Sequence, residues 1–263
     1  MQAEQLLQQG DLDGTLQALQ QNVRERPSDP TLRIFLFQLL CVSGDWQRAL
    51  NQLQLTGELD AINLPMVQTY REAIVCELFR RQVFSGRQSP LVFGDPPPWI
   101  ALLLEALRLA GEGANDRAEG LRQEAFEQAP ANPGIIDEQP FAWLADADPR
   151  IGPVFEAIIN GRYYWIPMQR LNRVEIEPPS DLRDMVWAAA RLEFENGGAT
   201  VALLPSRYSG TEESDDAALK LARKTLWQEP FPQFYTGLGQ RMFVSDIGDH
   251  PLLSTRSIRF IAP

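Results

Sequence analysis

Apolar residues recur at helical spacing along the first half of the chain. Leu12, Leu16, Leu19 and Val23 fall on one face of a predicted helix that Pro27 closes. Ser28, Asp29 and Pro30 supply a cap and a first-turn proline for a second helix reaching about Val42. Gly44 and Asp45 break it, and Trp46, Ala49, Leu50 and Leu53 mark the next apolar face. Asn63 and Pro65 open a longer helix toward Phe84, and Pro98 and Asn115 or Asp116 open two more.

The pattern repeats. Gly10-Asp11 and Gly44-Asp45 lie 34 residues apart, and at that offset Leu6 aligns with Leu40, Leu12 with Trp46, Thr15 with Ala49, Leu16 with Leu50 and Leu19 with Leu53. A weaker copy pairs Gly113 and Ala118 with Gly44 and Ala49 and ends in Ala125 and Pro130. A helix, a glycine turn, a small residue where two helices cross and a closing proline resemble the tetratricopeptide repeat. The signature is missing between residues 60 and 98.

From Gly134 the pattern is mixed. Asp148-Pro149 reads as the start of a helix with Ile151, Val154 or Phe155, and Ile158 inward, ended by Gly161. Arg173–Glu177 and Val186–Glu193 are strand-like, and Asn196-Gly197-Gly198 before Thr200–Leu204 predicts a hairpin. Ser214 is placed to cap a helix that opens on Asp215 and Asp216 and closes on Arg223 and Lys224. Two further strands are predicted at Arg241–Ser245 and Ser257–Ile261. The expected architecture is multidomain α and α+β: a tetratricopeptide-like array of helical hairpins over residues 1–133, then a smaller α+β domain with antiparallel strands over residues 134–263.

Composition excludes more than it identifies. The 263 residues are 44% hydrophobic and 22% charged, which describes a globular chain. The formal charge of −11 is spread evenly, with 17 acids against 11 bases in residues 1–135 and 18 against 13 in the rest. Only Lys220 and Lys224 are lysines, the other bases being arginine. Such a surface repels phosphate backbones and anionic lipid, so neither nucleic acid nor membrane is expected as a partner. Apolar runs stop at six residues, as in Trp99–Leu104, far below the roughly 18 needed to span a bilayer. The start lacks a signal-peptide pattern, and Cys41 and Cys76 sit in apolar helical stretches without CxxC spacing, so a reducing cytoplasm is the expected location.

Candidate chemistry is sparse. His250 is the single histidine; Ser245, Asp246 and Asp249 are near it in sequence, but no GxSxG elbow, GxGxxG loop or Walker-type GK[ST] occurs. Asp146 and Asp148, followed by Arg150, are open to a cation, to acid–base chemistry, or to capping and ion pairing, whereas the acid run Glu212, Glu213, Asp215 and Asp216 reads as a solvated helix start. An enzyme would build its site from Asp146, Asp148, Arg150, Arg207 and Arg241. A binding protein would instead use the second apolar stripe of the helix Leu32–Val42. Ile34, Phe37 and Cys41 with Gln38 lie off its core face, and their 34-residue counterparts are Gln68, Arg71, Glu72 and Val75. The groove residues expected to meet a partner are thus Ile34, Phe37, Gln38, Cys41 and Arg71; no metal or cofactor is called for.

One series of motifs is far more specific. It runs Trp143-Leu144-Ala145-Asp146-Ala147-Asp148-Pro149-Arg150-Ile151-Gly152-Pro153, then Gly161-Arg162-Tyr163-Tyr164-Trp165-Ile166-Pro167. Pro178-Pro179-Ser180-Asp181-Leu182-Arg183-Asp184-Met185-Val186-Trp187, Leu204-Pro205-Ser206-Arg207-Tyr208, Thr225-Leu226-Trp227 and Gly239-Gln240-Arg241 follow. The chain resembles the ImpE family, also called SciE or TagJ, over nearly its whole length. Leu226 stands where the family usually has an acid, and Ser206 where a small apolar residue is commoner.

The resemblance implies binding without catalysis, as an accessory protein of bacterial type VI secretion. The implied partner is the N-terminal amphipathic helix of the small contractile-sheath subunit, with a link to the AAA+ ATPase that disassembles the contracted sheath. Trp143, Asp146, Asp148, Arg150, Trp165, Arg183, Asp184, Arg207, Tyr208, Trp227 and Arg241 are the motif residues expected to serve recognition or structure. A peptide-binding adaptor unrelated to secretion and the Asp/Arg enzyme remain the alternatives.

Overall fold

In a computed structural model describing residues 2–261, helices occupy the chain as far as Gln128 and strands dominate from Gly134. The helices are α1 (Gln2–Gln8), α2 (Leu12–Glu25), α3 (Pro30–Ser43), α4 (Trp46–Leu59), α5 (Leu64–Phe84), α6 (Pro98–Gly111) and α7 (Asn115–Gln128), with a two-residue strand β1 (Leu91–Val92) between α5 and α6. Hairpins form from α1 with α2, α3 with α4 and α6 with α7. Each turns on a glycine in the left-handed region, Gly10 (φ +82°), Gly44 (φ +78°) and Gly113 (φ +81°), where a side chain would be strained. Asp11, Asp29 and Asp45 cap α2, α3 and α4 by accepting from Gly14, Thr31 and Arg48 backbone amides. Thr15, Ala49 and Ala118, aligned by the repeat, are fully buried, as close helix crossings require.

The remaining strands are β2 (Gly134–Ile136), β3 (Gln139–Phe141), β4 (Leu144–Asp146), β5 (Val154–Ile159), β6 (Arg162–Pro167), β7 (Leu171–Ile176), β8 (Trp187–Phe194) and β9 (Ala199–Pro205). After a short α8 (Ala217–Lys220) come β10 (Thr225–Phe231), β11 (Phe234–Gly239), β12 (Met242–Ser245), β13 (Gly248–Pro251) and β14 (Ser257–Phe260). Nine strands form one sheet in the order β1-β6-β5-β9-β8-β7-β14-β2-β3, with β13-β12-β4 and β10-β11 as smaller sheets. All pairings are antiparallel except β1 with β6, so the loop leading out of α5 contributes a parallel edge strand to the large sheet.

Alternation along the strands builds two cores. One face, with Phe155, Ala157, Ile166, Val174, Leu192 and Ile258, closes on Phe243 and Leu252. The other, with Val154, Ile158, Tyr163, Trp165 and Trp187, packs against the helices. There Trp187 meets Trp46 and Tyr70 with ring centroids 6.0 and 5.8 Å away, and Tyr70 meets Phe37 at 5.8 Å. The helical array therefore covers part of the sheet and buries its own aromatic residues in doing so.

Two predicted helices are corrected. Residues 148–161 form no helix: Gly152 (φ +56°) and Pro153 stop one, and Val154–Ile159 is a strand buried on both faces. A strand covered on both sides shows a continuous apolar run, which periodicity does not separate from a buried helix. Ser214 accepts from the Asp216 amide, but Asp216 is the cap, and the helix ends at Lys220 instead of continuing to Lys224. The strands near 173, 186, 200, 241 and 257 are present, as is the hairpin at Asn196–Gly198.

Candidate docking surfaces and the buried ion network

The helix α3 stripe is not available to a partner. Phe37 and Cys41 are fully buried and Gln38 nearly so, because the sheet half occupies the space where an external helix was expected. Arg207 adds to this closure, donating from Nη1 to the Val42 carbonyl at 2.8 Å and to the Lys220 carbonyl at 2.6 Å, and from Nη2 to the Cys41 carbonyl at 3.4 Å. Burial pushes the Cys41 thiol well above its ordinary range, with Arg207 opposing. Ile34 is half-buried, whereas Arg71 on α5 is exposed.

Between α5 and the sheet a groove remains open. Thr69 and Glu72 of α5 form one wall, and the floor is Ala189 of β8 with Val201 and Leu203 of β9. Its volume is about 470 Å³. These floor residues share the sheet face of Trp187, beyond the reach of the helices. Val201 is 75% exposed although β9 lies in the interior of the sheet, so its apolar side chain has no cover from this chain. Gln68 and Val75 flank Glu72 one turn away on α5, and Val75 is 56% exposed.

Of the proposed enzyme residues, Asp146 pairs with Arg241 and Asp148 with Arg150, whereas the Arg207 side chain is turned toward α3. Asp146, fully enclosed on β4, accepts at Oδ2 from Arg241 Nε (3.0 Å) and Nη2 (2.8 Å), and at Oδ1 from the Asp148 amide (2.9 Å) and the Tyr208 hydroxyl (3.1 Å). Asp148 holds Arg150 through both carboxylate oxygens, Nη2 reaching Oδ2 at 2.6 Å, and accepts from the Gly237 amide at 3.0 Å. Gly237 is required there, since a Cβ would lie 2.2 Å from Tyr208 Cδ2. Beneath them Glu156 of β5 bridges Arg80 of α5 (Nε to Oε1, 2.6 Å) and Arg241 (Nη1 to Oε2, 3.2 Å), and accepts from the Tyr163 hydroxyl. Trp165 Nε1 donates to Tyr163 at 2.8 Å, and Arg80 also donates to the Arg207 carbonyl at 3.0 Å.

Electrostatics separate the two acids. Burial raises the Asp146 carboxyl to about 6 against the pull of Arg241. Burial acts on Glu156 as well, but Arg80 and Arg241 together outweigh it and hold that carboxyl at about 2. Every acceptor position on Asp146 is used by the sheet half itself, and the buried ion pair that ties the two halves together is Arg80 with Glu156. Several other motif residues make contacts within the chain. Asp184 completes a capping box with Asp181, Arg183 lies over the Tyr70 ring at 4.8 Å, and Trp227 packs on Tyr208 at 5.7 Å. Ser245 and His250 are hydrogen-bonded at 2.8 Å within the β12–β13 hairpin, but Asp246 is committed to the Ala142 and Trp143 amides. Among the described residues no group of His, Cys, Asp or Glu is arranged to hold a metal ion, and no helix is long and apolar enough to cross a membrane.

Arg80, Glu156 and Tyr163 were missed as site residues by sequence reasoning. Their signal was a lone carboxylate inside the apolar run Val154–Ile159, which needs a buried cation from elsewhere in the chain. Trp143, by contrast, stands at the surface, 40% exposed, at the mouth of an apolar cleft of about 410 Å³ that Phe126, Pro149, Pro153 and Val244 also line.

Residues 138–259, which hold the ion network apart from Arg80 and the sheet side of this cleft, match the family model described as ImpE protein. The type VI secretion system accessory component TagJ of Pseudomonas aeruginosa is 56% identical over 262 residues, covering 99% of this chain and 91% of that protein. The chain belongs to the ImpE family. A crystal structure of a Vibrio parahaemolyticus protein shares the ImpE-family fold seen here, with a TM-score of 0.90 over 99% of this chain and 98% of that one at 23% identity.

Proposed function

We propose that this ImpE-family protein is a non-enzymatic, cytoplasmic accessory component of a bacterial type VI secretion system. It binds the N-terminal helix of the small contractile-sheath subunit and thereby assists recruitment of the AAA+ ATPase that disassembles the sheath. The full-length identity of 56% to an accessory component of that system carries the assignment. It also favours this reading over an adaptor unrelated to secretion, and the saturation of Asp146 and Asp148 favours binding over catalysis.

The docking surface is the groove between α5 and strands β8 and β9. Its apolar floor at Ala189, Val201 and Leu203 accepts the apolar face of a helix, while Glu72 in the wall and the exposed Arg71 next to it in sequence address the polar face. One helix in this groove buries less than the ~1,600 Å² of a standard interface, so micromolar affinity is expected, strengthened by the repetition of subunits along a sheath. The test is calorimetric titration of the sheath-subunit N-terminal peptide into the wild type, Val201→Glu and Arg71→Glu. Both positions are exposed, so circular dichroism should not change; at least tenfold weaker binding is expected. Unaltered affinity in both variants removes this groove from the proposal.

A further inference from the structure

We infer that the cleft beside Trp143 is a second docking surface, which takes the apolar side chains of a short segment flanked by basic residues. It rests on its own geometry and does not depend on the α5 groove. The cleft lies where the halves of the molecule meet: Phe126 and Ala129 come from α7, Pro130 and Ala131 from the connection after it, Trp143–Asp146 from β4 and its approach, and Val244 from β12. Its volume of about 410 Å³ falls within the range of ligand-binding clefts, roughly 300–1,000 Å³. Trp143 and Phe126 are 40% and 38% exposed at its mouth, large aromatic surfaces that the chain's own packing leaves in water. Gly152 (φ +56°) underlies Phe126 so closely that a Cβ would come within 2.4 Å of the ring, which fixes one wall of the cleft against the backbone.

Charge selects the occupant. Asp146 at the base of the cleft is spent on Arg241 and Tyr208, so it offers no acceptor to an incoming cation. Arg150, between the lining residues Pro149 and Gly152, is spent on Asp148. Exposed acids adjoin the lining residues: Glu127 follows Phe126 in sequence, Asp246 accepts from the Trp143 amide, and Asp249 pairs across the strands with Val244. An apolar hole with an acidic rim, on a chain of net charge −11, attracts a segment with arginine or lysine on either side of its apolar anchors and repels an acidic one. The same field disfavours a second copy of this chain as the occupant.

The experiment uses two short synthetic peptides with the same Leu-Trp-Leu centre, one flanked by arginines and one by glutamates, titrated into the full chain by calorimetry. The arginine-flanked peptide is expected to bind at least tenfold more tightly than the other. Its affinity should fall when salt is raised from about 0.1 M to about 1 M, over which the screening length shrinks from about 10 Å to about 3 Å. Trp143→Ala removes part of the wall; Ala131→Trp fills the cleft without deleting a contact, and each should weaken binding at least fivefold. Glu127→Lys with Asp249→Lys should abolish the preference between peptides. Failure of the arginine-flanked peptide to bind, equal binding of the two, or indifference to Ala131→Trp overturns the inference. If binding instead follows Val201→Glu and Arg71→Glu, the peptide occupies the α5 groove and the cleft is not a docking site.

Discussion

Replacing Glu156 by glutamine removes the single negative charge held between two enclosed guanidinium groups. Glu156 is wholly buried, and Arg80 and Arg241 lie 2.6 and 3.2 Å from its oxygens. Its carboxyl is held at about 2, against an ordinary 4.5. At about 1.36 kcal/mol per pKa unit this corresponds to roughly 3 kcal/mol of stability at neutral pH, which agrees with the ~3–5 kcal/mol expected when one partner of a buried ion pair is deleted. For a chain of this size the melting temperature should fall by roughly 6–12 °C. Because the folded carboxyl titrates below the unfolded one, its contribution is complete above about 4.5 and is lost as the pH falls toward 2. The gap between wild type and Glu156→Gln should therefore shrink to under about half by pH 3. Asp146 has the opposite sign: its folded carboxyl at about 6 lies above the unfolded value of 3.8, so ionising it weakens the fold as pH rises through that window, in both proteins alike. Urea denaturation at constant ionic strength, at pH 3 and pH 7, measures both effects. A loss below about 1 kcal/mol at pH 7, or a gap that does not narrow in acid, would refute the argument that this carboxylate is bound by its two arginines.

Arg207→Met should cost about 2–3 kcal/mol by urea titration, because it strands the Cys41, Val42 and Lys220 carbonyls together; a change under about 0.5 kcal/mol would show that those bonds carry nothing. Cys41 and Cys76 should resist a disulfide reagent at pH 8 in the native protein and react fully in urea, as burial raises both thiols, Cys76 to about 12; rapid native labelling contradicts their packing. Unfolding should be a single event, since Phe37, Trp46, Tyr70 and Trp187 form one core: far-ultraviolet helix signal and near-ultraviolet tryptophan signal are expected to vanish at the same urea concentration. Helicity persisting after the aromatic signal is gone would mean that the helical array stands alone.

The helical half was legible because its determinants are local. Asp29, Pro30 and Gly44 bound α3 through bonds within a few residues, and the glycine turns repeat in register with Thr15 and Ala49. The sheet half was legible only where strands face water on one side, as in β7, β8 and β9, whose exposed and buried residues alternate. Strand β5 was misread because both of its faces are covered, although Asn160 (φ +49°) and Gly161 (φ +72°) after it are a two-residue hairpin signal. The groove on α3 was misplaced for a related reason. A second apolar stripe shows that something covers a helix without saying whether the cover is a partner or the rest of the chain. Here the cover is Tyr70 of α5, packed on Phe37 and backed by Trp187, together with Arg207 on the α3 carbonyls. The ImpE-family motifs pointed to the right segment, but their carboxylates and arginines proved to be bonded to one another, a pairing across as many as 95 residues that no spacing encodes.

The dependence of the helices on the sheet bears on how the chain is made. Residues 1–133 leave the ribosome first, yet Trp187, which packs on Tyr70 and Trp46, and the partner strand for Leu91 and Val92 belong to residues translated later. At about 5–20 residues per second, the strand-forming remainder takes roughly 7–26 s to synthesise. During that interval the nascent array exposes its aromatic face, with Arg80 awaiting Glu156. Biogenesis is thus the stage at which this protein is most open to capture by chaperones or to misassociation, and late synthesis of β5, β6 and β8 closes that window.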